Sequence, residues 1–355
     1  MSGLRDADFL RRALELAKKG EGHTRPNPPV GAVIVQDGRI VGEGWHRRCG
    51  GDHAEVAAIK NATTRGHSVA GATIYVTLEP CSKPGRVGAC TDALVAAGIK
   101  KVVYAVADPN PTNRGRARRA LAKCGVACVR PSRGKADPTA WTARGGMKRL
   151  LESAGRFIAP FAKHVTTGMP FVTVKLAMSL DGKICDDFGE AKWISSAASR
   201  RMTGRLRESV DAIMVGAETV RKDDPSLLSH GRRNDDLVRV VISRSGRLPK
   251  TAQIFTDGAP NETLVYRDAR EALEDLGRRG VMHVLCEGGL TLVRSLADQG
   301  LVDRWLRISC PLVIGSKPLA EATRFRLVSE SLSDVDAGDS EGEYDIEKDQ
   351  KCLRG

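Results

Sequence analysis

The sequence predicts a mixed α/β protein of two domains, and three observations carry that expectation. The chain has 355 residues, enough for two domains at roughly 150 residues each. Short β-branched runs alternate with segments of helical periodicity, the pattern of a largely parallel sheet in each half. Between the halves, Arg130 to Gly146 is rich in Pro, Gly, Arg and Lys, the composition of a loop. These breaks suggest domains at 1–150 and 169–355, joined by a linker at 151–168.

Each element has its own local reason. Phe9, Leu10, Ala13, Leu14 and Ala17 recur at helical spacing. Ala32-Val33-Ile34-Val35, the turn Asp37-Gly38 and Ile40-Val41-Gly42 read as a β-hairpin. Glu55 to Ala62 is helical, Thr73 to Leu78 a strand, and Asp92 to Ala97 a short helix ended by Gly98. Lys101 to Val106 is another strand. A new α/β pattern starts near Phe171 with Val172-Thr173-Val174-Lys175-Leu176. Later strands are expected at Ala212 to Val215, Val238 to Ile242, Thr263 to Tyr266 and His283 to Cys286, with helices at about 197–208, 268–278 and 290–298. No internal repeat is visible.

Composition narrows the class. Hydrophobic residues make up 41% of the chain, with no apolar run long enough to span a bilayer. The first residues lack an apolar signal core. The nine cysteines are odd in number and scattered, so they form no disulfide framework and suit a reducing cytoplasm. The formal net charge is +13, which admits nucleic acid, anionic small substrates or a merely solvated basic surface. Arg114, Arg116, Arg118, Arg119 and Lys123 crowd one region, but aromatics total only 4% and none interleave it. That weighs against a single-strand stacking platform. Small-molecule partners and no membrane are therefore expected.

The chemistry of the first half rests on one constellation. His53-Ala54-Glu55 opens a predicted helix, Pro80-Cys81 follows a predicted strand, and Cys90 comes eight intervening residues later. Taken singly, His53 reads as a helix-capping residue and either cysteine as a small buried hydrophobe. Together, one imidazole and two thiolates give Zn²⁺ three ligands and leave a fourth position open to water. Both cysteines are read as lying near helix starts, where the macrodipole favours the thiolate. Glu55 is then the general acid/base of a zinc deaminase, close to the metal without ligating it. Cys49 is the candidate fourth ligand on the alternative that the zinc is structural.

Four segments carry a family resemblance: Pro26-Asn27-Pro28-Pro29-Val30-Gly31, His53-Ala54-Glu55, Leu78-Glu79-Pro80-Cys81 and Asp108-Pro109-Asn110-Pro111. They resemble the bifunctional riboflavin-biosynthesis deaminase–reductases, whose longer gap between cysteines also matches. The resemblance reaches to about Arg326. It implies a cytidine-deaminase-like α/β/α domain followed by a dihydrofolate-reductase-like α/β domain. It also implies that Asn27, His46, Arg86, Asp108 and Asn110 contact an aminopyrimidine and its ribose phosphate. Two stretches depart from the family pattern. The loop before Cys90 reads Gly85-Arg86-Val87-Gly88-Ala89, and Asp108-Pro109-Asn110-Pro111 continues as Thr112-Asn113-Arg114-Gly115.

In the second half no Gly-x-Gly-x-x-Gly follows a strand. His283-Val284-Leu285-Cys286-Glu287-Gly288-Gly289 leads from a strand into a helix, either as an ordinary glycine turn or as a phosphate cradle. Lys175-Leu176-Ala177-Met178-Ser179-Leu180-Asp181-Gly182, Lys192-Trp193-Ile194-Ser195, Gly216-Ala217-Glu218-Thr219-Val220 and Asp223-Asp224-Pro225 resemble the reductase half of the same family. The resemblance implies that Ala177, Trp193, Thr219, Asp223 and Gly289 hold NADPH. Lys175, Asp181, Arg207, Leu227 and Glu287 would line the substrate site. Ala191, His230 and Ser243 stand where the family carries serine, arginine and aspartate. Arg244, next to Ser243, is either a partner for a cofactor phosphate or a loop charge. The implied activity is deamination of an aminopyrimidine ribotide followed by NADPH-dependent reduction, in a homo-oligomer. The rivals are a nucleoside or tRNA deaminase, and a deaminase with a non-catalytic C-terminal half.

Overall fold

The computed structural model describes residues 2–83, 88–131, 141–189, 194–229, 236–316, 318–319, 322–327 and 346–348. The chain divides into two compact units, Met1–Met169 and Pro170–Gly355. In the first, α1 (Ser2–Lys18) precedes a hairpin of β1 (Gly31–Gln36) and β2 (Arg39–Trp45). Then come α2 (Ala54–Thr64), β3 (Thr73–Leu78), α3 (Cys90–Ala96), β4 (Lys101–Val106), α4 (Arg116–Lys123), β5 (Ala127–Val129), α5 (Trp141–Phe157) and α6 (Ala159–Thr167).

The five strands form a sheet in the order β2-β1-β3-β4-β5. It is mixed rather than largely parallel: β1 runs antiparallel to both β2 and β3, whereas β3, β4 and β5 are parallel. The hairpin is the reason. Asp37 and Gly38 both take positive φ (50° and 73°), the requirement of a tight two-residue turn that returns the chain beside itself.

Alternation along the strands sets the layers. Ile34, Ile74, Val76 and Val102 pack on one face with Ala54, Ala58, Ala62, Leu94 and Leu121 from α2, α3 and α4. Val33, Val35, Tyr75 and Val103 pack on the other with Leu10, Ala13 and Leu14 of α1 and Leu150, Leu151 and Ala154 of α5. The result is an α/β/α sandwich. Helix α2 approaches the sheet very closely, because a Cβ on Gly44 would lie 2.3 Å from Ala58 N. That approach fixes the helix whose first turn carries His53 and Glu55.

Of the stretch 130–146 expected to be loop, residues 132–140 lie outside the described residues, and the part that follows is helical. Residues 141–146 begin α5, and 151–168 is occupied by the rest of α5 and by α6. Leu150, Leu151 and Ala154 lie on one helical face and bury to 7%, 4% and 1% exposure. That burial overrides a locally loop-like composition.

The second unit contains β6 (Phe171–Met178), α7 (Ala197–Glu208), β7 (Ala212–Gly216), α8 (Ala217–Asp223), β8 (Val238–Ile242), α9 (Gln253–Thr256) and β9 (Thr263–Tyr266). It continues with α10 (Ala269–Arg278), β10 (His283–Cys286), α11 (Leu290–Asp298), β11 (Arg304–Ser309), β12 (Leu312–Val313), β13 (Thr323–Leu327) and β14 (Ile346–Lys348). Six strands form a sheet in the order β11-β6-β10-β7-β8-β9, and every neighbouring pair is parallel. The C-terminal ends of β7, β8 and β10 therefore open on one side, where ligands of parallel sheets bind. Helix starts are capped as their sequences suggest: Asp268 accepts from the N–H groups of Arg270 and Glu271. Strand β11 escaped the sequence reading because Trp305 and Arg307 occupy the outward positions of an edge strand. No helix among the described residues is long and apolar enough to cross a membrane.

Candidate functional site

In the first unit His53 is the N-cap of α2, with φ −69° and ψ 161°. Its extended backbone projects the imidazole toward the cysteines while Glu55 takes the first helical turn. Cys90 is the first residue of α3 and is 1% exposed. Cys81 follows β3 in a loop, so the helix-start argument applies to Cys90 and not to Cys81. His53 Nδ1 lies 3.1 Å from Cys90 Sγ and 3.5 Å from Cys81 Sγ. The Cys90 backbone N–H donates to Cys81 Sγ at 3.3 Å, which is how a strand-end thiolate is held without a helix dipole of its own. The potential ligand atoms of these three residues lie within 4.8 Å of one another. Among the described residues no fourth side chain joins the group, Cys49 included. An imidazole and two thiols form a donor set that fits zinc with an open position.

The electrostatics follow from the crowding. A hydrogen bond from the Cys90 thiol pulls the Cys81 thiol well below its usual range. The same shared bond, with burial second, pushes Cys90 up. His53 is raised by its hydrogen bond with Cys81. Glu55 is 3% exposed, and burial, reinforced by the Cys81 charge, pushes its carboxyl up to about 6.

His53, Glu55 and Cys81 open into a cavity whose walls include Asn27, His46, Glu79, Asp108 and Phe161. His46 Nδ1 donates to Asp52 O (2.9 Å), so the opposite nitrogen is the acceptor and takes Asn27 Nδ2 at 3.1 Å. Burial lowers the His46 pKa, in keeping with a neutral ring. The structure thus brings Asn27, His46 and Asp108 to one wall. Asn110 is placed differently. Its Oδ1 accepts from Thr112 N–H and Oγ1 (both 3.0 Å), and its own N–H donates to Asp108 Oδ1 at 2.8 Å. It shapes the turn and is not among the residues on the cavity wall. Arg86 lies outside the described residues.

Two wall residues were missed from sequence. Glu79 carries no sequence signal beyond its place in the Leu78-Glu79-Pro80-Cys81 segment. It is 2% exposed, and its Oε1 is buried with no hydrogen-bond partner among the described residues. Phe161 lies in the stretch read as linker, and no local signal marked it.

In the second unit, Glu287, at the end of β10, meets two cations. Arg207 Nε and Nη2 donate to its two oxygens at 2.7 and 3.2 Å, and Lys175 Nζ lies 3.5 Å away. Burial opposes ionisation, but the charges of Lys175 and Arg207 outweigh it and hold the Glu287 carboxyl below its ordinary range. Arg207 Nη1 also donates to Leu228 O (3.1 Å). Neighbouring Leu227 has φ 56° and is 2% exposed, its side chain packed in the core with Val220, Val241 and Ile254. Any ligand contact from Leu227 therefore comes through its backbone. The Asp181 carboxylate accepts from Ile314 N–H (3.1 Å) and Gly315 N–H (2.8 Å).

A second cavity lies at the ends of β7 and β8 beside the start of α11, lined among others by Thr219, Ser243, Arg244 and Gly289. Ser243 is 2% exposed, and its hydroxyl has no partner among the described residues. An orphaned buried hydroxyl beside a helix N-terminus fits a phosphate-bearing dinucleotide. Ala177 packs partly buried against the cluster of Ile308 and Cys310, and Asp223 ends α8. Neither is among the residues on that cavity wall. Trp193, with Ala191 and His230, lies outside the described residues.

Fold and sites together define a zinc-binding deaminase domain followed by a reductase domain on one chain. Residues 4–106 match the cytidine and deoxycytidylate deaminase zinc-binding region, and 170–336 match the RibD C-terminal domain. The riboflavin biosynthesis protein RibD of Aquifex aeolicus is 34% identical, over 92% of this chain and 93% of that protein. That of Escherichia coli is 35% identical, over 88% and 89%. A crystal structure from Thermotoga maritima superposes with a TM-score of 0.78 at 32% identity, covering 94% of this chain and 97% of that one. It is described as a diaminohydroxyphosphoribosylaminopyrimidine deaminase/5-amino-6-(5-phosphoribosylamino)uracil reductase. The chain belongs to the RibD family, the bifunctional deaminase–reductases of riboflavin biosynthesis.

Proposed function

We propose that the first unit hydrolytically deaminates 2,5-diamino-6-ribosylamino-4(3H)-pyrimidinone 5′-phosphate, and that the second reduces the ribosyl group of the product to ribityl with NADPH. The carrying observation is one cavity lined by His53 and Cys81, whose donor set Cys90 completes, together with the buried Glu55 carboxyl and the polar side chains of Asn27, His46 and Asp108. His53, Cys81 and Cys90 would hold zinc, which when bound supplies Lewis-acid activation of water at neutral pH. Glu55, with its carboxyl pushed up to about 6, is suited to exchange protons near neutrality. It takes a proton from the attacking water and delivers one to the departing amine. Asn27, through an amide already oriented by His46, and Asp108 hold the pyrimidine edge.

In the second unit Thr219, Ser243, Arg244 and Gly289 would hold the dinucleotide, which supplies the hydride when bound. The unsatisfied Ser243 hydroxyl and the adjacent guanidinium support a cofactor carrying an extra phosphate, NADPH over NADH. Lys175 and Arg207, drawn together by Glu287, receive the anionic substrate. A cytoplasmic homo-oligomer completes the reading.

Mass spectrometry of the zinc-loaded chain with the diaminopyrimidine ribotide tests it. Deamination gains about one mass unit and reduction about two more once NADPH is added. Deamination alone would refute the assigned reduction, and no product at all would refute the assigned substrate.

A further inference from the structure

Asn113 lies in the turn between β4 and α4 and is 7% exposed. Its Oδ1 accepts from the Ser82 N–H (3.0 Å) and the Ser82 hydroxyl (3.1 Å). Its Nδ2 donates to Asp108 Oδ2 at 2.7 Å and, at longer range, to Pro80 O at 3.4 Å. An amide has two donors and one oxygen with two lone pairs, so these contacts use its whole capacity. The two segments it joins have different duties. Pro80-Cys81-Ser82 carries a thiol of the metal cluster, and Asp108 forms part of the cavity wall. The other Asp108 oxygen is already taken by the Asn110 N–H at 2.8 Å, so the bond from Asn113 fixes the remaining freedom of that carboxylate.

We propose that Asn113 is a positioning residue that locks the Cys81-bearing turn to the Asp108 carboxylate, so that the metal ligand and the pocket wall are set as one unit. The inference rests on the zinc-deaminase reading of this cavity. An aliphatic side chain at 113 would leave the buried Asp108 oxygen and the Ser82 groups without their partner, a costly state away from water. The fold itself has a second tie. Glu79 Oε2 accepts from the N–H groups of Asp108 (3.2 Å) and Gly115 (3.1 Å), so loss of Asn113 misaligns the two segments without releasing the loop.

The test uses the full chain loaded with Co²⁺, whose visible bands report the thiolate geometry, together with the concentration of ribosylaminouracil 5′-phosphate that half-saturates the change it causes in those bands, a binding readout confined to the first unit's cavity. Asn113→Ala loses both sets of bonds, so the cobalt bands shift and binding weakens about tenfold or more. Asn113→Asp still accepts from Ser82 but cannot donate to Asp108, so its bands stay near wild type while binding weakens about as much. Wild-type bands and wild-type affinity in Asn113→Ala would overturn the proposal, as would wild-type affinity in Asn113→Asp. If Asn113→Ala does not fold, Asn113→Asp decides alone. Failure of the wild-type chain to bind the ribotide would count against the substrate assignment, and the cobalt bands would then judge the latch.

Discussion

Replacing Glu287 with Gln removes one carboxylate from between two cations. The Glu287 side chain is 8% exposed, Arg207 14% and Lys175 16%, and the shortest contact is the 2.7 Å bond from Arg207 Nε. Breaking a buried pair costs about 3–5 kcal/mol, because the surviving charge is left uncompensated. Here both cations keep some access to water and Arg207 retains Leu228 O, which places the cost near the lower end, about 3 kcal/mol. With a urea m-value of about 2 kcal/mol/M, the midpoint of the second unit's transition falls by about 1.5 M. A shift below about 0.3 M would refute the reasoning. The pH dependence adds a sign. Because Lys175 and Arg207 hold this carboxyl below its ordinary range despite burial, its contribution is complete above the unfolded value of about 4.3 and is lost as pH falls through the lower folded value. The difference between wild type and Glu287→Gln therefore closes in acid, below about pH 4.

Three further outcomes are expected. Glu55→Gln keeps the three-residue donor set, so metal analysis should find zinc retained while the deamination rate falls about 10²–10⁴-fold; loss of zinc would contradict the non-ligating role. Stripping metal with a chelator should stop deamination but leave NADPH-dependent reduction of ribosylaminouracil phosphate intact, since the His53–Cys81–Cys90 group belongs to the first unit; parallel loss of both activities would contradict this. Burial, with the Arg304 charge second, pushes His283 down to about 3, so its stabilisation is present above about pH 6.5 and lost as pH falls toward 3. Thermal melts of His283→Gln should be flatter than wild type across that window, and an unchanged acid limb would count against it.

Much of this was legible because local and tertiary signals agree. The hairpin at Asp37-Gly38 declares itself through turn chemistry, and the helix from Ala54 through its small residues at positions 54, 58 and 62. His53, Cys81 and Cys90 were readable because metal chemistry restricts which residue types serve. Side-chain roles set by neighbours remote in sequence were not. The Asp181 carboxylate accepts from the N–H groups of Ile314 and Gly315, far along the chain, and Asn110 Oδ1 accepts from Thr112, bonds that the motifs themselves do not announce. Phe161 became a wall residue only once α6 existed, and α5 and α6 were hidden by the Gly- and Arg-rich stretch before them. Asn113 looked like an irregularity until Ser82 and Asp108 were seen on either side of it.

The most direct measurement of the central claim is isotope incorporation in ¹⁸O-labelled water by the zinc-loaded chain acting on the diaminopyrimidine ribotide. Replacement of the ring amine by solvent oxygen gives a product about three mass units heavier than the substrate, formed by wild type and not by Glu55→Gln. An unlabelled product, or a labelled one that retains every nitrogen, would contradict hydrolytic deamination in this cavity.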